Sequence, residues 1–161
     1  MINATRLVLA SLSLLQLACA ACTQEPPQSR AAPLCPSLAI AEVAASPGSG
    51  KSLPTVDGRV VSVLDPPLVA NRDLSGARVG QAEGRQVLEL GLEQEAAARL
   101  RSYTADHVGG QLAFAVDGRV RQVMRVLDPI VGNGLMVDPG DPDEATELAH
   151  ALGDGRCANN R

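Results

Sequence analysis

Residues Val87 to Val126 read VLELGLEQEAAARLRSYTADHVGGQLAFAVDGRVRQVMRV, and the hydrophobic period along them changes from two to helical and back to two. Leu88, Leu90 and Leu92 alternate with Val87, Glu89 and Gly91, which is the signature of a strand that sends leucines to one face. From Glu93 the apolar positions shift to Ala96 or Ala97, Leu100, Thr104 and Val108. This spacing predicts a helix over Glu93–Val108, with acids in its first turn where the helix dipole favours them. Gly109 and Gly110 end it. Leu112, Phe114 and Val116 then alternate with Gln111, Ala113 and Ala115, and Asp117-Gly118 is the strongest short signal for a tight hairpin turn.

Working outward, Thr104, Val108, Gly109, Leu112, Ala113, Asp117 and Gly118 fall in the spacing T-x3-VG-x2-LA-x3-DG. A leading LSGARV (Leu74 to Val79), a trailing DPI (Asp128 to Ile130) and a final EA-x2-LA-x2-L (Glu144 to Leu152) stand at matching offsets. Together they resemble the head subdomain of the first large periplasmic loop of the SecD/SecDF protein-export membrane components. The resemblance covers roughly Val60 to Gly153. None of its residues is chemically reactive, so it speaks for a frame rather than for an activity, and it implies a module that contacts polypeptide in the periplasm. The chain departs from the family at Gln122, Val123 and Met124, where related proteins carry small residues and proline.

The strand that follows the Asp117-Gly118 turn is unusual. Under strict alternation Arg119, Arg121 and Arg125 share a face with Val123, while Val120, Gln122, Met124 and Val126 share the other. If the helices cover one side of the sheet, the arginines line the open side, where an extended or anionic partner could bind. The bland reading is an ordinary solvated face. These three arginines are the candidate partner-binding residues.

Further upstream, Val60, Val61, Val63 and Leu64 predict a strand after the Asp57-Gly58 turn, ended by Pro66-Pro67. Leu74 to Gln81 predicts another, joined through Ala82-Glu83-Gly84 to the strand at Val87. LAIAEVAAS, from Leu38, fits a short strand or a helix alike. Ala45 to Ser52 reads ASPGSGKS and satisfies a loose phosphate-loop pattern around Lys51, the single lysine of the chain. Its supports are missing: Pro54 falls where the helix should begin, and an alanine stands for the first glycine. A Gly-Ser surface loop is the better reading.

Downstream, Asp138 to Glu144 crowds four carboxylates into DPGDPDE. A calcium loop needs alternating ligands and a distal bidentate glutamate, which this segment lacks. A helix start explains it better, with Asp141 as N-cap, Pro142 first in the helix and Glu144 as the reciprocal capping-box partner. That helix is expected over Pro142–Leu152 with Gly153 as its stop.

The N-terminus carries a targeting signal. Arg6 precedes an apolar run from Leu7 to Leu17, too short to span a bilayer and the right length for a signal-peptide core. Residues 1–21 are therefore expected to be a lipoprotein-type signal, with Cys22 as the lipidated residue. Cys19 and plain cleavage after a small residue are the alternatives. Residues 22–34, rich in Pro, Gln and Ala, form a flexible tether. Thr23 is not the aspartate that retains lipoproteins at the inner membrane, so the expected location is the cell envelope, periplasm-facing, with the outer membrane favoured. Removing the signal takes away Arg6 and no acid, which moves the formal net charge from −4 to −5.

Residues 35–161 are then one α+β domain, expected as a two-layer sandwich of a mostly antiparallel sheet with two helices on one face. Its core must be Leu, Val and Ala, because Phe114 and Tyr103 are the sole aromatics. The same scarcity argues against nucleic-acid and sugar binding, which commonly use aromatic platforms. Cys35 and Cys157 are expected to pair in an oxidising envelope, and closing so long a loop stabilises by about 4–5 kcal/mol in the loop-entropy model. The sequence offers no cofactor motif, no metal-ligand spacing at His107 or His150, and no nucleophile elbow. Tyr103 and His107, four apart, suit a packing pair.

The expected function is a non-catalytic, lipid-anchored interaction domain that contacts exported polypeptides or an envelope complex. It would touch the membrane through the lipid anchor only. The alternatives are a small envelope enzyme without a recognisable motif, and a structural or inhibitor-like lipoprotein that binds one folded partner.

Overall fold

The computed structural model describes residues 35–46, 48–153 and 157. The expected signal segment, the lipidation at Cys22 and the tether lie outside the described residues. Among the described residues, nine strands and two α-helices follow in the order β1 (Leu38–Glu42), β2 (Lys51–Pro54), β3 (Val60–Val63), β4 (Val69–Ala70), β5 (Leu74–Ala82), β6 (Arg85–Leu92), α1 (Gln94–Asp106), β7 (Gln111–Val116), β8 (Arg119–Arg125), β9 (Gly134–Val137) and α2 (Pro142–Gly153). The α+β class is as expected. The strands are divided among three antiparallel sheets rather than gathered in one: β4-β1-β7-β8, β5-β6-β9 and the β2-β3 hairpin.

The alternation in the opening stretch explains the main core. Leu88, Leu90 and Leu92 of β6 meet Leu112, Phe114 and Val116 of β7 across a cluster that includes Leu38 and Ile40 of β1. α1 adds Ala96, Ala97 and Leu100, and α2 adds Leu148, Ala149 and Leu152. Burying one such leucine is worth about 1.5–3 kcal/mol. The LAIAE ambiguity resolves as a strand, with β1 lying centrally between β4 and β7.

The far face of the four-stranded sheet is not open along its whole length. Ala41, Ala113, Ala115 and Val120 pack there against Leu53 and Val63 of the β2-β3 hairpin, forming a second, smaller core. Small residues on β1 and β7 let the hairpin approach closely. This removes part of the free sheet face that the sequence reading assigned to a partner.

Two hairpin turns carry the backbone signature of mirror-image turns. Asp117 and Gly118 have φ of 51° and 73°, and Glu83 and Gly84 have 53° and 76°. Positive φ at both central residues matches the right-handed twist of the flanking strands, which is why glycine is needed second. Cys35 and Cys157 are bonded, with Cα atoms 5.3 Å apart, and tie the chain before β1 to the chain after α2.

Candidate interaction surface

β8 carries a one-residue bulge that undoes the strict alternation. Phe114 pairs with Gln122 but Ala115 pairs with Val120, so Arg121 is the extra residue. Bulges re-aim side chains. Register then places Arg119, opposite Val116, on the main-core side, whereas Arg125, opposite Gln111, shares the hairpin side with Val123, opposite Ala113. The arginines at 119, 121 and 125 therefore do not form one face, which corrects the sequence expectation. Arg119 and Arg125 are exposed.

Arg121 turns toward α2 instead. Its Nη2 lies 2.7 Å from Glu144 Oε1, with both side chains about four-fifths buried. Its Nε is buried and has no hydrogen-bond partner among the described residues. Beside it, Gln122 Oε1 accepts the backbone N–H of Asp138 at 2.9 Å, and Asp138 pairs with Arg85 Nη1 at 2.8 Å. These groups tie β8 to the segment between β9 and α2. Burial pushes the Glu144 carboxyl above its ordinary pKa, with Arg121 opposing and Asp141, Glu147 and Asp117 adding to the rise.

That pairing changes the capping of α2. Asp141 Oδ1 accepts the N–H of Asp143 at 2.9 Å, as an N-cap should. Glu144, however, is held by Arg121 rather than reaching back as the capping-box partner. A tertiary ion pair has displaced a local hydrogen bond.

The other sequence candidates resolve plainly. Lys51 opens strand β2, so the glycine-serine loop feeds no helix N-terminus that could hold a phosphate. In the DPGDPDE segment, Asp138 serves Arg85 and the N–H of Gly140, and Asp141 serves α2. Tyr103 and His107 stack with ring centroids 4.0 Å apart, and His107 Nδ1 lies 2.8 Å from the Tyr103 carbonyl. Burial, then the neighbouring Glu42 carboxylate, raises the Tyr103 hydroxyl pKa well above its usual value. Neither ring gains a reactive partner from this arrangement.

An open cavity of about 620 Å³ is lined by Gly76, Gly91 and Gly134, neighbours across β5, β6 and β9, together with Arg78, Glu89 and Met136. A smaller one, about 500 Å³, lies beside Ala97, Arg101 and Asn133. Among the described residues, no group of three or more His, Cys, Asp or Glu is arranged to hold a metal ion. No described helix is long and apolar enough to cross a membrane.

These features define a two-layer α+β module whose polar groups mostly tie elements together. The family model for the SecDF P1 head subdomain matches residues 49–158, and the chain belongs to that family. It is 31% identical over 88 residues to the protein translocase subunit SecD of Koribacter versatilis, covering 54% of this chain and 16% of that protein. It is 32% identical over 94 residues to the protein translocase subunit SecDF of Thermus thermophilus, covering 57% of this chain and 13% of that one. The chain spans well under a quarter of the length of these relatives. Two solved structures share the fold at 23% identity and 72% of this chain. One is SecDF in its super-membrane-facing form (TM-score 0.57, 18% of that chain), and the other is a membrane component SecDF that enhances protein export (TM-score 0.56, 61% of that chain).

Proposed function

We infer that this protein is a non-catalytic interaction module that contacts polypeptide segments in the bacterial envelope. The observation that carries the reading is the family match over residues 49–158. The domain is presented to the periplasm by a lipid on Cys22 and a tether through residue 34, at the outer membrane, and touches the bilayer through that anchor. Mass spectrometry of the mature N-terminus tests this. A diacylated Cys22 is the expected species, and an unmodified N-terminus contradicts it.

The partner-binding role passes from the three arginines as a set to the exposed Arg119 and Arg125, since Arg121 is engaged with Glu144. Site-specific photo-crosslinking from Arg125 in the native envelope tests the polypeptide-contacting role. A spread of secreted chains as products supports it. One discrete folded product favours the structural or inhibitor-like alternative, and no product contradicts both.

A further inference from the structure

β8 is the terminal strand of its sheet, and half of its outer edge is already paired. Thr55 bridges Val120 in parallel, and the Val56 N–H donates to the Val120 carbonyl at 3.2 Å. Beyond that point the chain of β2 turns away through Asp57-Gly58, whose positive-φ glycine ends the run. The Val126 N–H donates to the Gly110 carbonyl at 2.9 Å, which sets the alternation along β8. Gln122, Met124 and Val126 direct their backbone groups at the β7 side, and Val123 and Arg125 direct theirs away from it. No backbone partner meets these outward groups among the described residues.

The side chains beside this edge suit an extended guest. Val123 is 40% exposed, and Val56, whose N–H bonds the Val120 carbonyl, is 52% exposed. Arg125, two residues beyond Val123 and on the same face, is exposed and has no ion pair among the described residues. An unpaired edge of this kind is a template for strand addition, in which main-chain bonds hold the guest and alternate side chains select it.

The geometry points to strand addition at Val123–Arg125. The guest is an extended polypeptide segment that continues the line of Thr55–Val56 along β8 and carries an apolar residue with an acidic one two positions away on the same face. This deepens the polypeptide-contacting reading and rests on it. With only two outward residues offering backbone groups, contact is weak and transient.

The test is amide hydrogen exchange on the full chain with a short peptide alternating valine and glutamate. A copy N-methylated at alternate amides serves as control. Exchange at Val123 and Arg125 is expected to slow about tenfold at saturation with the first peptide and to stay unchanged with the second. Arg125→Glu should weaken that peptide and favour one alternating valine and lysine. Slowing that survives N-methylation, or that falls on β5, β6 and β9 instead, overturns the edge site while leaving polypeptide contact standing. Slowing of the same amides by raised protein concentration without peptide makes the guest a second copy and overturns the proposal. Binding of neither peptide, together with no binding of an unfolded secreted chain, sinks both the edge site and the reading beneath it.

Discussion

The buried hydroxyl of Thr104 accepts the backbone N–H of Ile130 at 3.0 Å while donating to the Leu100 carbonyl at 2.9 Å. One side chain thus bonds back into α1 and pins the DPI segment that leads from β8 to β9. The T-x3-VG run and the trailing DPI of the family spacing meet in this contact. Thr104→Val keeps the shape but leaves the Ile130 N–H without its acceptor, so it should cost about 1–2 kcal/mol in urea unfolding. Thr104→Ser should retain most of the stability. Equal stability of the valine variant and the parent would show that the hydroxyl is not the anchor.

The Cys35–Cys157 bond closes a separation of 122 positions. Replacing both with alanine should lower stability by about 4–5 kcal/mol if the loss is mainly loop entropy in the unfolded chain. Cys157 is itself buried in the main core, which is why alanine rather than a polar residue is the informative replacement. Denaturant midpoints for the oxidised parent and the double variant check this, and coincident midpoints would contradict it.

Glu144 gives a pH signature whose sign is fixed. Its folded pKa is raised, by burial first, so the folded protein holds this proton more tightly than the unfolded chain. The contribution to stability is fully present below the ordinary glutamate range and is lost as pH rises through the raised value. Relative to Glu144→Gln, the parent should therefore lose stability as pH climbs from the ordinary glutamate range toward neutrality. Thermal unfolding of both across that window reads the difference. A parent that gains on the variant as pH rises would mean that Arg121 dominates the site.

Asp117 occupies a positive-φ turn position and also accepts the Ser37 N–H at 2.8 Å through Oδ1. Asp117→Ala removes that acceptor and seats a less tolerant residue in the left-handed region. It should cost about 1–2 kcal/mol. Asp117→Asn, which tolerates the same backbone and keeps an acceptor oxygen, should cost far less. Equal losses in the two variants would place the effect elsewhere than in the turn.

Much of the frame was legible because local and tertiary preferences agree. The leucine alternation of β6, the face of α1, both glycine-terminated turns and the Asp141-Pro142 start of α2 each carry their own signal. The bulge at Arg121 carries none, because one extra residue in an edge strand leaves composition and period nearly unchanged. Missing it put Arg119, Arg121 and Arg125 on one face. β9 was also missed, since GLMV alternates too briefly to stand out from the loop before it. The Arg121–Glu144 pair joins residues far apart in sequence, so the local capping box looked complete when a distant guanidinium had already engaged its glutamate.

The central claim, contact with polypeptide in an extended state, is tested most directly by titrating the full chain with a secretory polypeptide in two forms, held unfolded and natively folded. Saturable binding of the unfolded form with none to the folded form is the result predicted here. Binding restricted to the folded form, or binding to neither, would contradict it.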